Sequence, residues 1–234
     1  MIVWVASFPR SGNTFMRIVM NRRYGVETSV IYDLDGVADR LGPGLIGAVD
    51  RAGSIAEMRR SADTFFVKTH RQLDEDVDAL DGAICLVRDG RDALVSWARL
   101  SSEDDPSGFG PKLQEMVLRD DLRGTGSWGR NVLSWVQPLK ANRVLVRYED
   151  LVETPAETID RAMALVAPSF DPDVHALIPT LADLREVDGK FFRRGRVGSY
   201  RDELPEDLHR LFWSRPDNAA AMELLGYDVS NASA

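Results

Sequence analysis

The chain opens with Ile2-Val3-Trp4-Val5-Ala6-Ser7-Phe8-Pro9-Arg10-Ser11-Gly12-Asn13-Thr14-Phe15-Met16-Arg17. Its first residues form an apolar, β-branched run, which fits a strand buried on both faces in a parallel sheet. Pro9 has no N–H to give to a ladder, so the strand stops there. Small and polar residues follow, and then Phe15, Ile18, Val19 and Tyr24 recur at helical spacing. Strand, tight loop and helix N-terminus bring backbone N–H groups to one point, where the helix dipole adds positive charge. Arg10, Ser11 and Thr14 add side-chain donors. The segment reads as a phosphate cradle, although an ordinary β–α turn has the same outline.

The loop departs from the nucleotide-hydrolase pattern of Gly, four residues and then Gly-Lys-Ser/Thr. Ser7 stands where the first Gly would be and Asn13 where the Lys would be; the cation has moved forward to Arg10. Ser7-Phe8-Pro9-Arg10-Ser11-Gly12-Asn13-Thr14-Phe15 resembles instead the phosphosulfate loop of sulfotransferases that use 3′-phosphoadenosine-5′-phosphosulfate (PAPS). That loop usually reads Tyr-Pro-Lys-Ser-Gly-Thr-Thr-Trp. Arg10 replaces its Lys, Asn13 its first Thr and Phe15 its Trp.

Four further phrases follow in the family's order. Thr64-Phe65-Phe66-Val67-Lys68-Thr69-His70 reads as a strand with a polar end. Ligands of open parallel sheets bind beyond the carboxyl ends of strands, and a period of two puts Lys68 and His70 on one face. A lone His there could equally be a surface or capping residue. The phrase is similar to the family's Lys-Thr/Ser-His, which implies His70 as general base and Lys68 as its cationic partner. Gly82 to Arg88 is a third strand, Asp89-Gly90 a turn, and Arg91 to Trp97 the start of a helix. Arg88 could simply pair with Asp92. The segment resembles one in which an Arg and a Ser hold the 3′-phosphate, which implies Arg88 and Ser96. Arg143 to Leu151 is a fourth strand and its exit; Tyr148 could merely finish that strand, while the resemblance places it at the adenine. Phe191 to Tyr200 carries Arg193, Arg194, Gly195, Arg196 and Gly198, and resembles the segment that closes over the 3′-phosphate.

Elsewhere the chain carries structure more than chemistry. Trp128, Val132 and Trp135 recur as a core stripe, with Ser127 as N-cap and Asn131 where the family has His. Thr154-Pro155-Ala156-Glu157 predicts a capping box. Residues 25–62 are weakly patterned, with a short helix expected between Ile46 and Met58. Residues 101–126 are polar and read as a mobile lid. Leu204 to Leu225 is a terminal helical segment capped by Gly226. Leu181 could stand where the family has an adenine-contacting Phe.

Composition bounds these readings. With 234 residues and 44% apolar side chains, the chain can bury one α/β core. A net charge of −8 argues against a general nucleic-acid partner, so the bunched arginines mark local anion sites. Three His and one Cys leave little for a soft metal site. Cys85 has no disulfide partner, no stretch is long enough for a membrane span, and Met1 leads directly into a strand. A cytoplasmic protein without a membrane partner is expected.

The expected fold is a single α/β domain over residues 1–234: a mostly parallel sheet flanked by helices, similar to P-loop NTPases. The expected activity is transfer of a sulfuryl group from PAPS to the hydroxyl of a small acceptor, without metal. The resemblance implies His70, Lys68 and Arg10 as the catalytic groups. It implies Arg10, Ser11, Gly12, Asn13, Thr14, Phe15, Arg88, Ser96, Tyr148, Arg193, Arg194 and Gly195 as the donor site. Lys68 and Arg10 are expected to keep His70 neutral by like-charge repulsion. An ATP- and Mg²⁺-dependent small-molecule kinase or another P-loop nucleotide-binding protein is the alternative, and a homodimer is left open.

Overall fold

The computed structural model describes residues 1–33, 35–121, 124–137 and 142–227. Strands β1 (Ile2–Ser7), β2 (Thr28–Val30), β3 (Phe65–Thr69), β4 (Gly82–Val87) and β5 (Arg143–Arg147) form one sheet in the order β2-β3-β1-β4-β5. Every pairing is parallel, and β1 lies at the centre between β3 and β4. All six residues of β1 and of β4 are buried. A central strand must offer apolar side chains to both faces, which is why its sequence shows no alternation.

The two faces separate cleanly. Val3 and Val5 point to one, where Ile84, Leu86 and Phe66 join helices α1 (Asn13–Tyr24) and, further along the chain, residues 155–166. Ile2, Trp4 and Ala6 point to the other, against Met58 and Trp135. Between β2 and β3 lie three short helices, α2 (Gly36–Leu41), α3 (Pro43–Ile46) and α4 (Ile55–Arg60). The single helix expected from Ile46 to Met58 is therefore two pieces. Gly47, at φ 60°, closes α3, and Ser54 opens α4 with a complete capping box to Glu57.

After β4 come α5 (Gly90–Ser101), a 3-10 turn at Pro106–Gly108, α6 (Phe109–Leu118) and α7 (Trp128–Val136). Ser127 caps α7 as expected, and Trp128 and Trp135 are core residues. The stretch read as a lid contains α6, whose Leu113, Met116 and Val117 are buried in a second core with α5 and α7. Beyond β5 lie α8 (Tyr148–Glu153), α9 (Pro155–Val166), α10 (Leu181–Val187), α11 (Tyr200–Glu203), α12 (Glu206–Trp213) and α13 (Pro216–Leu224). Tyr148 thus opens a helix rather than ending a strand. The capping box at Thr154 does not form: the hydroxyl turns back to the Asp150 carbonyl of α8, 3.3 Å away. The terminal segment breaks into α12 and α13 just before Pro216, which cannot sit inside a continuous helix. Gly226, at φ 65°, follows α13 as expected. Among the described residues, no helix is long and apolar enough to cross a membrane.

Candidate active site

The loop after β1 lies at the sheet's carboxyl edge. Gly12 is the N-cap of α1, at φ 101°. A Cβ there would lie 2.5 Å from the Tyr148 ring, so only glycine lets the loop pass under that ring. The Met16 N–H makes the first helical bond, to Gly12 O at 3.0 Å. The N–H groups of Gly12 through Phe15 therefore have no intrahelical acceptor, and the helix dipole adds to their pull on an anion. The Ser11 hydroxyl is buried without a partner among the described residues. Asn13 behaves differently from expectation: its amide points inward and donates to Val5 O at 3.2 Å and Ser7 Oγ at 3.1 Å. It can offer an anion its backbone N–H, not its side chain.

Arg10 adopts a left-handed backbone at φ 64°, a strain of about 1–3 kcal/mol for a side chain of this size. Its guanidinium donates to Ser96 Oγ at 3.3 Å and Phe191 O at 2.5 Å, and lies over the Phe191 ring. Burial, and then the charge of Arg88, push its pKa down to about 10. Arg88 leaves the end of β4 and lies 4.3 Å over the Tyr148 ring. It donates to the carbonyls of Arg10 at 3.1 Å and Arg196 at 3.3 Å, while its Nε is buried with no hydrogen-bond partner among the described residues. Asp92 contacts Arg88 at 3.8 Å, but it mainly anchors the 191–200 segment. Its carboxylate accepts from Gly198 N, Ser199 Oγ and Tyr200 N. Arg193 pairs with Glu203 at 2.9 Å, and Arg194 with Asp202 and Glu203 at 3.2 and 3.3 Å. Both line the cavity described below, with carboxylates already beside them.

His70 sits just past β3. Its Nδ1 is 2.8 Å from the Ser7 carbonyl, which can only accept, so Nδ1 carries the proton. Nε2 is left with the lone pair of a neutral ring. The Asn131 amide donates to the His70 carbonyl at 2.9 Å, and the His70 N–H donates to the Tyr32 hydroxyl. Burial, then the charge of Lys68, push the His70 pKa down to about 3, with Arg17 adding to the effect and the Ser7 bond opposing it. The like-charge repulsion thus comes from Lys68 and Arg17, and not from Arg10 as expected.

These groups surround one cavity of about 400 Å³. Among the described residues, Arg10, Arg40, Lys68, Arg88, Arg193 and Arg194 line it against a single carboxylate, Asp35. In a chain of net charge −8, this concentrates positive charge at the carboxyl edge of the sheet, as an anion site requires. Gly12, Asn13, Thr14, Phe15, Ser96, Tyr148 and Gly195 of the expected set lie along its wall, as does Leu181, whereas Ser11 of that set is fully buried and is not among the lining residues. No described residue of 101–126 lines it; Gly36, Val37 and Arg40 on one side and Phe191 to Gly195 on the other do. Among the described residues, no group of three or more His, Cys, Asp and Glu side chains could hold a metal ion.

The profile of the sulfotransferase domain family matches residues 2–214. The chain belongs to that family. Among curated relatives, it is 26% identical over 208 residues to WSCD family member GA21586 of Drosophila pseudoobscura pseudoobscura, covering 86% of this chain and 60% of the relative. It is 27% identical over 156 residues to WSCD family member CG9164 of Drosophila melanogaster, covering 63% and 44%. The chain thus spans about half the length of the curated relatives it matches. Mouse sulfotransferase SULT7A1, solved with PAP, superposes with a TM-score of 0.62 at 16% identity, over 96% of this chain and 88% of that one. Retinol dehydratase, solved with retinol and PAP, gives 0.57 at 17% identity, over 99% and 81%. The fold is that of these proteins.

Sequence reading missed Ser7, Tyr32, Asn131, Asp35 and Asp92 as parts of the site. Asp35 had one local signal, the Asp-Gly pair that caps α2. Asn131 had another, its place in the family phrase.

The depressed His70 pKa has a consequence for stability. The folded value lies below the unfolded value of about 6.5, so the unfolded chain binds more protons between the two. The contribution is complete above about pH 6.5 and is lost as pH falls toward about 3. His70→Asn should flatten that part of the stability curve. Urea titrations at pH 7, 5 and 4 on both proteins check this; identical acid sensitivity would contradict a ring held neutral in the folded state.

Proposed function

We propose that this chain transfers a sulfuryl group from PAPS to the hydroxyl of a small acceptor, with His70 as general base. One observation carries the reading. A neutral imidazole, its tautomer fixed by the Ser7 carbonyl, shares a cavity with a cationic anion cradle. Mere nucleotide binding needs no such base.

The donor set suits a nucleotide with two separate phosphate groups. The free N–H groups of Gly12 to Phe15 and the unpartnered Ser11 hydroxyl suit the 5′ end. Arg88, with its unpartnered Nε, and Ser96 suit the 3′-phosphate, as does the 193–195 segment once its carboxylates yield. Tyr148 suits the adenine. PAPS, when bound, supplies an electrophilic sulfur with a phosphate leaving group. As the acceptor oxygen–sulfur bond forms, the bond from sulfur to the 5′-phosphate oxygen breaks and that oxygen keeps the electron pair. His70 Nε2 takes the hydroxyl proton. Lys68 and Arg10 stabilise charge on the departing oxygen. Burial is the main cause of the low His70 pKa, but an anionic donor beside Lys68 offsets the cationic part of it, which strengthens the base when it is needed.

An alcohol or phenol suits an imidazole base. The retinol dehydratase structures contain retinol in one case and androsterone in another, and a small hydroxylated acceptor here is a proposal by that likeness. A reducing cytoplasmic setting fits the free, buried thiol of Cys85. Sulfur-labelled PAPS should label simple phenols or alcohols at an undiminished rate in EDTA. A strict Mg²⁺ requirement with ATP as donor would replace this reading with a kinase.

A further inference from the structure

Among the described residues, Asp35 is the one carboxylate on the cavity wall, and nothing in the sulfuryl-transfer reading uses it. It caps α2, accepting from the Val37 N–H at 3.2 Å. Its Oδ2 lies 2.8 Å from Arg17 Nη1, and its Oδ1 lies 3.7 Å from Lys68 Nζ. All three side chains are out of solvent: Arg17 is 0%, Lys68 7% and Asp35 10% exposed. Arg17 is fixed in turn by donating its Nε–H to Thr28 Oγ1 at 2.7 Å. One carboxylate therefore serves two buried cations, one from α1 and one from β3, next to His70.

We propose that Asp35 is a positioning residue, which keeps Lys68 charged and directed along the cavity wall beside His70. The role rests on the sulfuryl-transfer reading, in which Lys68 must be a cation. A lysine this deep pays heavily for its charge. Burial, opposed by Asp35 and reinforced by Arg17, holds its pKa down to about 8. For Asp35 itself, burial pushes upward, but Lys68 and Arg17 outweigh it and the carboxyl stays below its usual range. The other groups around Lys68 cannot do this work. Arg17 repels it, His70 is neutral, and Tyr32 offers only its ring, 5.7 Å from Nζ. Without Asp35, Lys68 would shed its proton in the physiological range.

Lysine labelled with carbon-13 at Cε reports this directly, because the chain has only four lysines and Lys68→Arg assigns the signal. Removing an opposite charge at this range typically shifts a pKa by about 1–3 units. In Asp35→Asn, Lys68 should titrate about 1–3 units lower than in the wild type. The alkaline limb of kcat should move down with it, and Asp35→Glu should restore both. An unchanged Lys68 titration in Asp35→Asn overturns the proposal. If Asp35→Asn leaves Arg17 too exposed to repulsion to fold, Lys68→Met tests the same coupling from the other side. The Asp35 carboxyl should then titrate higher, and an unchanged value again overturns the pairing. A wild type that shows the Lys68 coupling but never turns over PAPS upholds the pairing and removes the sulfuryl reading alone.

Discussion

His70→Ala should lower turnover by about 10²–10⁴-fold, the usual worth of a positioned general base. Affinity for 3′-phosphoadenosine-5′-phosphate (PAP), the nucleotide product, should stay near the wild-type value. The split follows from where His70 sits. Among the described residues its ring hydrogen-bonds only to Ser7, through Nδ1, and Arg10 and Arg88 are held by other groups. Arg10 is held by Ser96 and Phe191, and Arg88 by the carbonyls of Arg10 and Arg196. Steady-state kinetics beside calorimetric titration with PAP checks the prediction. The acceptor must have an ordinary, non-acidic hydroxyl, since an acidic phenol supplies its own oxyanion. Near-wild-type turnover with such an acceptor would refute His70 as base.

Arg88→Ala should produce the opposite pattern, weakening PAP by about 10–150-fold. That corresponds to losing a hydrogen-bonding charged group worth about 1.5–3 kcal/mol. Arg88 carries an unpartnered buried Nε and joins the first loop to the 191–200 segment through two carbonyls. Its loss removes a brace and, on the proposed reading, an anion ligand together. Arg88→Lys keeps the charge but not the planar fork, and should recover only part of the affinity. Calorimetry with PAP and with adenosine 5′-monophosphate separates the two contributions. A variant that loses affinity equally for both nucleotides would show that Arg88 acts as a brace and not on the 3′-phosphate.

Much of the fold was legible because its central strands are simple. Ile2–Ser7 and Gly82–Val87 are buried on both faces, so their sequences are continuous apolar runs ended by Pro9 and by the Asp89 cap. The edge strand Thr28–Val30 was not legible. It has three residues, and its burial comes from β3 and from residues 47–49, which bond to Thr28, rather than from its own pattern. In the site, residues at strand ends were found by position: Arg10, Lys68, His70 and Arg88. What escaped were the partners that set their charge state. Asp35 reaches Lys68 from the helix after that short edge strand, across a distance in sequence that no periodicity spans. Asn13 shows the limit of reading a polar residue as a ligand. An amide can turn inward as easily as outward, and here Val5 and Ser7 hold it inward. Arg193 and Arg194 carry a similar lesson, since Asp202 and Glu203 follow closely enough to neutralise them.

The most direct test of the central claim is calorimetric titration of the purified chain with PAP in EDTA, set against ATP with Mg²⁺. In the proposed reading, the cavity's cations and the backbone N–H groups at the start of α1 serve two separate phosphates. PAP should therefore bind without metal and more tightly than ATP with Mg²⁺. Binding of ATP that requires Mg²⁺, with no measurable binding of PAP, would contradict the account.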